Sequence, residues 1–510
     1  MARSTTPTCC LTLPLRLEKW QEDKLDKRFE IARQIYNTLL RAERKKLRQL
    51  EQTQEYREIQ TGLSRLYEQK ADKSPEFKQL ANRRTALLKQ AGFSEYAFKD
   101  DMKWYYKHFK QNIASGVAVH GIAPNVWAAF EKLLYGKGKF VHFKKRGSVN
   151  SVRGASVSGK SGGGEIIFRD TYIEWNRLKL PIKLNRDNAY ETEMLQNRVK
   201  YVRIMRKPGK YRTRWYTQLI LEGVPAAKRD SKTGAPVHSI GHGTVGIDIG
   251  PQTIAYVSAE KAELKELAAR VQNIEQQKRT LQRKMDRSRR ATNPDNYAPD
   301  GTIKKGVKLT HNRSGRYSRL QRKLAYLQHR QADIRKQQHT QMANELLSLG
   351  DTFIVEDMSW ESLTHRAKET SISPKTGKYK RKKRFGKSVA NKAPAMLITI
   401  LKQKCVSCGL PGVIEVSTML RASQYNHITN TYQKKSLSQR WNIMPDGRRV
   451  QRDLYSAFLL QHVTVQRDGF DSEQLYKDYE SFMVLHDQVI NKLMSASKTI
   501  TSMGIRRSIS

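Results

Sequence analysis

The sequence predicts an α/β protein of several domains, and three observations lead to that fold class. Apolar residues recur at helical spacing between Leu25 and Leu39, which gives one apolar stripe along a helix. Residues 136–240 instead alternate apolar and polar side chains, as strands do. Beyond residue 240, short apolar strands are separated by long helical patterns. A chain of 510 residues has room for more than one such domain.

The first 240 residues are predicted to form one β-domain with a helical insertion. A strand is expected at 11–17, where leucine alternates with other residues. Charge-rich helical sequence then continues to about residue 135. Strands resume at 136–240, with a hairpin turn at Pro208-Gly209. Because strands lie on both sides of the helical block, they are expected to share a domain.

One stretch inside this region imitates a nucleotide-binding motif. Residues 154–161, GASVSGKS, match the phosphate-loop pattern G-x-x-x-x-G-K-S. That pattern binds phosphate only between a buried strand and a helix, whose N-terminus receives the anion. Here a basic, polar run precedes the stretch and three glycines follow it. We therefore interpret it as a flexible basic loop.

A helical hairpin is predicted at 260–349. Two apolar stripes, one from Leu264 to Leu281 and one from Leu320 to Ile334, follow three-four spacing. Bases crowd the run RTLQRKMDRSRR (279–290), which is expected on the outer face. A solvated charged face is the usual explanation of such a pattern, but the total charge favours contact with nucleic acid.

That total charge is the strongest signal in the composition. Ninety-five Lys and Arg residues stand against 48 Asp and Glu, a formal net charge of +47. A DNA-binding protein needs roughly 6–10 phosphate contacts, so this surplus indicates a larger polyanion such as structured RNA or a long heteroduplex. The alternative is a ribosomal or other nucleic-acid-coating protein.

The sequence favours a cytoplasmic protein. No run approaches eighteen apolar residues and the mean hydropathy is −0.71, so neither a membrane span nor a membrane partner is expected. The apolar run near the N-terminus is broken by Pro14 and Arg16, unlike a secretory signal. Four cysteines are too few for a disulfide scaffold and suit a reducing cytosol.

Three carboxylates have similar settings in distant segments. Asp248 lies inside the apolar run VGIDIG, Glu356 ends the run DTFIVE, and Asp453 begins the helical pattern RDLYSAFLL. Singly, each has a structural explanation: a turn, a strand end or a helix cap. Together on a shared sheet they would bind two Mg²⁺ ions, which prefer oxygen ligands and assist phosphodiester cleavage.

GIDIG, IVED and RDLYSAFL in this order resemble the three-part RuvC nuclease domain of the TnpB family and of compact type V CRISPR effectors. The resemblance implies an RNA-guided DNA endonuclease with a guide RNA and target double-stranded DNA as partners. It implies that Asp248, Glu356 and Asp453 are the catalytic metal ligands in a two-Mg²⁺ site. Asp357 and Asp446 are weaker candidates, since Pro-Asp-Gly around Asp446 reads as a turn.

The same resemblance implies a domain order. The RuvC domain would be ribonuclease-H-like, and a β-barrel-like wedge domain would carry the helical recognition domain. It also implies a prokaryotic cytoplasmic protein that joins the nucleoid on DNA; the oligomeric state stays open. The predicted segments are wedge 1–19, recognition 20–135, wedge 136–240, RuvC 241–411, a degenerate target-nucleic-acid-binding insertion 412–452, and the third motif with C-terminal helices 453–510.

Zinc is not expected. The family commonly carries paired C-x-x-C knuckles between its second and third motifs, whereas this chain has one pair, Cys405 and Cys408. A closed zinc site normally has four ligands, and His427 alone does not complete one.

Three other functions compete with the endonuclease. A sugar kinase or actin-like ATPase also uses a GIDIG-like loop, but it needs a second D-x-G loop and only Asp248 begins one. A nuclease-inactive RNA-guided repressor would lack an acid, and all three are present. A transposon-associated accessory protein is the third alternative; no compact His-x-His and Tyr arrangement supports strand transfer by the chain itself.

Overall fold

A computed structural model divides the chain into two compact units, Met1–Ala226 and Ala227–Ser510. The structure describes residues 6–136, 138–154, 166–230, 233–235, 237–366, 369–373, 377, 379, 385–436, 438–495 and 501–505. The six segments predicted from the sequence divide the chain more finely and stay predictions. The phosphate-loop-like stretch lies outside the described residues, apart from Gly154.

The described residues of the first unit form six α-helices and seven strands. The helices are α1 (Lys19–Glu51), α2 (Gln54–Glu68), α3 (Pro75–Gln90), α4 (Glu95–Tyr105), α5 (Ala123–Leu134) and α6 (Ala189–Leu195). The strands are β1 (Thr8–Pro14), β2 (Ser151–Arg153), β3 (Ile166–Arg169), β4 (Tyr172–Trp175), β5 (Leu178–Pro181), β6 (Val199–Pro208) and β7 (Thr213–Glu222).

These strands form two antiparallel sheets, in the orders β1-β7-β6-β2 and β3-β4-β5. The N-terminal strand pairs with β7, so strands on both sides of the helical block share one sheet. The strand lies at 8–14, three residues earlier than predicted, and the hairpin at Pro208-Gly209 is confirmed between β6 and β7. No sheet built from described residues is closed, so a barrel stays a prediction.

The apolar stripe of α1 packs on the first sheet. Phe29 is fully buried, and its ring meets Trp215 of β7 edge-on with centroids 5.1 Å apart. The neighbouring Arg28 donates hydrogen bonds to the backbone carbonyls of Trp175 and Asn176. Burial of the stripe, rather than helix propensity alone, therefore holds this long helix in place.

The second unit contains the segments of the three acidic motifs. Its helices are α7 (Val271–Thr292), α8 (Gly315–Leu347), α9 (Trp360–Thr364), α10 (Gly386–Lys392), α11 (Pro394–Cys408), α12 (Arg452–Gln461) and α13 (Ser472–Ser495). Its strands are β8 (Thr244–Ile249), β9 (Thr253–Val257), β10 (Ala262–Glu266), β11 (Thr352–Glu356), β12 (Gly412–Val416), β13 (Tyr425–Asn426), β14 (Thr431–Tyr432), β15 (Trp441–Ile443) and β16 (Arg449–Gln451).

A five-stranded mixed sheet forms the centre of this unit, in the order β10-β9-β8-β11-β12. Strands β8, β9 and β10 form an antiparallel meander, whereas β11 runs parallel to both β8 and β12. Apolar clusters cover both faces: α12 and α13 contribute to one, and α8 and α11 to the other. The central strands are consequently buried and nearly continuous in apolar residues.

The predicted start of the helical hairpin is wrong. Leu264 lies in β10, paired with Ala255 of β9, and the first helix begins at Val271. Leu264, Leu267 and Val271 happen to follow three-four spacing, but a tight turn at Ser258–Lys261 folds this segment back along β9. Pairing with the sheet therefore overrides the local pattern. No helix within the described parts of the chain has the length and apolarity needed to span a membrane.

Candidate active site

Asp248 and Glu356 lie on adjacent parallel strands at the carboxyl end of the sheet. The register pairs Ile247 of β8 with Val355 of β11, the residue before each acid. Neighbouring strands are about 4.8 Å apart, and residues at the same height point to the same face. The two carboxylates therefore project side by side, where open α/β sheets usually bind their ligands.

Helix α12 adds the third carboxylate. Asp453 occupies the first turn and is 8% exposed. The N-cap is Gln451, whose side-chain oxygen accepts a hydrogen bond 2.8 Å long from the backbone N–H of Leu454. Asp453 is therefore not needed as a cap, and its carboxylate is available to the site.

The close approach of α12 to the sheet depends on Gly246. A Cβ at this position would lie 2.0 Å from the backbone oxygen of Ala457 and 2.4 Å from the nitrogen of Gln461. The first glycine of the GIDIG motif thus has a packing role: it lets the helix backbone rest directly on β8. Any side chain there would push Asp453 away from Asp248.

The three acids line one cavity of 380 Å³, together with the loop that follows β8. Among the described residues, the other charged side chains that line it are Lys435, Arg440 and Arg452. These described residues thus bring three potential negative and three potential positive charges to the cavity.

Electrostatics single out Asp248 as the most constrained of the acids. Its pKa is raised well above the usual range, first by desolvation in the cavity and then by the nearby charges of Asp453 and Glu356. Arg452 and a hydrogen bond from Ser456 act in the opposite direction. Burial also raises the pKa of Glu356, opposed by the backbone N–H of Ala422. At Asp248 the nearby arginine therefore does not fully offset burial and the two neighbouring carboxylates.

Two arginines contact the carboxylate of Asp453. Arg452 contacts its Oδ1 through Nε at 3.3 Å and Nη2 at 3.2 Å, and Arg440 Nη1 lies 3.6 Å from its Oδ2. Arg452 also donates through Nη1 to the carbonyl of Gln439 at 2.9 Å, which ties the segment before β15 to α12. Arg452 is thus a buried bridge, whereas Arg440 makes a single longer contact.

The three carboxylates are of the ligand type that magnesium prefers, but their side chains are not arranged around a common metal position. All three ligands offer carboxylate oxygens, which hard divalent cations prefer, and bound cations would offset the buried negative charge. Among the described residues, however, no group of three acid, histidine or cysteine side chains is already arranged to hold a metal ion. The ion pair with Arg440 supplies a physical reason, because Asp453 faces a guanidinium.

The weaker acidic candidates lie outside this cavity. Asp357 is exposed and its backbone N–H bonds to Val416. Asp446 sits in the turn between β15 and β16, where its carboxylate accepts hydrogen bonds from the backbone N–H and Nε of Arg448 at 3.0 and 2.6 Å. A turn role accounts for Asp446.

Cys405 and His427, the residues considered as zinc ligands from the sequence, lie in different environments. Cys405 is buried in the apolar cluster under the sheet, and burial raises its thiol pKa to about 11. His427 is also buried; its Nδ1 lies 2.7 Å from the hydroxyl of Tyr455, and burial lowers its pKa to about 4. The absence of zinc stays a prediction.

The three basic residues that line the cavity were not predicted from the sequence. Arg452 could have been, because it directly precedes Asp453 in the third motif. Lys435 and Arg440 lie in a segment without recognisable periodicity, and only the fold shows that they line the cavity.

No protein-family model and no curated protein matches the chain. Solved structures similar to it include a Cas12f1–sgRNA–target DNA complex, at 11% identity and a TM-score of 0.41, covering 89% of this chain and 98% of that one. A CRISPR-Cas12f ternary complex matches at 12% identity and a TM-score of 0.25, covering 88% and 85%. A Cas12i–crRNA–dsDNA complex matches at 10% identity and a TM-score of 0.25, and the match covers 92% of this chain and 65% of that one. The predicted resemblance to compact type V CRISPR effectors is confirmed at this level of likeness in fold.

Proposed function

We propose that the protein is an RNA-guided DNA endonuclease that hydrolyses phosphodiesters with Asp248, Glu356 and Asp453. One observation carries this proposal: acids from three distant segments line one cavity at the carboxyl end of a sheet. Two of these carboxylates raise the pKa of the third, Asp248, and such a cluster is unfavourable unless a function requires it. The mixed sheet, with an antiparallel meander followed by two parallel strands, supports a ribonuclease-H-like RuvC domain.

The proposed partners are a guide RNA and target double-stranded DNA. The similar Cas12f1 structure holds an sgRNA and target DNA, and we extend those partner classes to this chain. A net charge of +47 supports them physically, because a bound polyanion would offset the surplus. We further propose that segments 1–19 and 136–240 form the wedge, and that 20–135 reads the duplex next to the target.

In the proposed mechanism the three carboxylates would hold two Mg²⁺ ions. When bound, such ions stabilise the attacking and leaving oxygens of a phosphodiester. Arg452 orients Asp453 and fastens the segment that carries Lys435 and Arg440. Those two cations would bind the phosphate of the DNA strand, since guanidinium and ammonium groups donate several hydrogen bonds to phosphate oxygens.

The direct experiment is cleavage of a guide-matched DNA by the protein reconstituted with its copurifying RNA. Cutting should require Mg²⁺ and RNA, and chelation should stop it. Sequence-specific cutting by RNA-free protein would refute guidance. Guide-dependent binding without any cutting would instead favour the nuclease-inactive repressor.

A further inference from the structure

The cavity has an apolar wall that hydrolysis does not require. Met358, Leu363 and Phe385 line it beside the three carboxylates, and each is only partly buried. Met358 follows Glu356 by two residues, Leu363 lies on α9, and Phe385 directly precedes α10. None of the three belongs to the apolar clusters formed by the described residues of this unit. Their exposed surface is therefore not explained by core packing.

Apolar surface next to charged groups in a cavity is typical of a ligand site. Water contact with these three side chains is unfavourable, and a flat apolar ligand would relieve it. The same cavity also offers Lys435 and Arg440 as cationic donors. Its residues thus match the parts of one nucleotide: an apolar surface for a base, and cations for its phosphate.

We propose that Met358, Leu363 and Phe385 form a nucleobase subsite that holds one unpaired nucleotide next to the phosphodiester being cut. This inference rests on the proposed nuclease function and specifies its substrate as a single strand. A base can stack on Phe385 only after it leaves its own stack, so intact duplex is excluded from the subsite. Stacking on an aromatic ring tolerates any base, so the subsite adds affinity without sequence preference.

Photochemical cross-linking tests contact without any cleavage. Full-length protein with its copurified RNA is irradiated, in EDTA, with a single-stranded oligonucleotide that carries 5-iodouracil in place of thymine. Adducts mapped by mass spectrometry should fall on Phe385 and disappear in Phe385→Leu. Tyr379→Leu is the matched control, because Tyr379 is an aromatic residue that is 74% exposed and does not line the cavity. Adducts confined to other residues would overturn the proposal.

A double-mutant cycle measures the energy of the contact. Phe385→Ala should weaken binding of a single-stranded substrate by about 5–150-fold, the value of one base–aromatic stack. An abasic nucleotide at the cross-linked position should weaken binding by a similar factor, and the two changes together should add little more. Fully additive effects would show that Phe385 and that base do not meet, and would refute the subsite.

These results separate the two proposals. A protein that forms the Phe385 adduct but never cuts DNA would refute the nuclease and retain a single-strand subsite. A protein that cuts guide-matched DNA but gives no Phe385 adduct would refute the subsite alone. Circular dichroism and thermal unfolding of each variant verify that Phe385→Leu and Phe385→Ala fold like the parent.

Discussion

The cavity and the helical hairpin of the second unit use charge in opposite ways. In the cavity, acids and bases are buried or half-buried, and Asp453 forms ion pairs with Arg440 and Arg452. On the hairpin, α7 and α8 expose many bases to solvent. Arg283 and Arg287 on α7, and Arg316, Arg319 and Lys323 on α8, form no ion pair with any acid among the described residues.

This difference separates the proposed catalysis in the cavity from electrostatic attraction of nucleic acid to the hairpin. Buried charges are sensitive to their exact partners, and each acid of the cavity has a defined neighbour. Exposed bases act through a long-range field that salt screens and that carries little sequence information. On α8, Arg316, Arg319 and Lys323 share one face at three-four spacing, a stripe suited to a phosphate backbone. Substitutions in the two regions should therefore change different observables.

Asp248→Asn should have the largest effect. It keeps the shape of the side chain but removes a proposed metal-ligating carboxylate oxygen beside Asp453 and Glu356. Loss of several kcal/mol of transition-state stabilisation corresponds to a fall in the cleavage rate of about 10³-fold. Binding of guide-matched DNA should stay within about twofold, because exposed bases dominate it. Single-turnover cleavage and filter binding measure the two quantities, and Asp357→Asn is the control. Cutting near the parental rate would remove Asp248 from the site.

Neutralising Arg316, Arg319 and Lys323 to Gln should reverse that pattern. Three lost phosphate contacts reduce the slope of log K against log salt by about 2.7, and affinity near physiological salt falls on the order of 10²-fold. All DNA sequences should be affected alike. The matched control substitutes Arg289 and Arg290, which both pair with Asp286 and should matter less. A changed sequence preference in the triple variant would contradict a purely electrostatic role.

Gly246→Ala tests whether packing of α12 holds the site together. The new methyl group would collide with the backbone of Ala457 and Gln461, and overpacking of this kind costs about 1–3 kcal/mol of unfolding free energy. Chemical denaturation measures the loss, and cleavage should fall with it as Asp453 is displaced. Gly315→Ala is the control, because a Cβ there meets nothing within 4 Å. Equal stability of the two variants would contradict the close packing.

Arg440→Gln should give the smallest effect, and the direction of the change in Mn²⁺ affinity is the informative quantity. Removing the guanidinium frees Asp453 Oδ2, so DNA-free protein should bind Mn²⁺ more tightly, by about fivefold for a partly exposed ion pair of ~1 kcal/mol. Calorimetric titration with Mn²⁺ measures this. Lys434→Gln removes the same charge from an exposed neighbouring position outside the cavity and should change nothing. Weaker Mn²⁺ binding in Arg440→Gln would show that Arg440 does not compete for Asp453.

Much of the sheet and the positions of the acids are predictable from local pattern. Each acid ends, interrupts or begins an apolar run, and such runs become buried elements whose ends meet at one edge. The hairpin start was not predictable, because Leu264 fits both a helical stripe and a strand until pairing with Ala255 decides between them. The pairing of Asp453 with Arg440 was equally hidden, since it depends on a loop folding over α12.

The proposed endonuclease requires that the three carboxylates from distant segments form one divalent-metal site. Anomalous X-ray scattering from crystals of the RNA-bound protein grown with Mn²⁺ tests it most directly. Anomalous peaks are expected within bonding distance of the carboxylate oxygens of Asp248, Glu356 and Asp453. Peaks that avoid this cavity, or no peak there at saturating Mn²⁺, would contradict it.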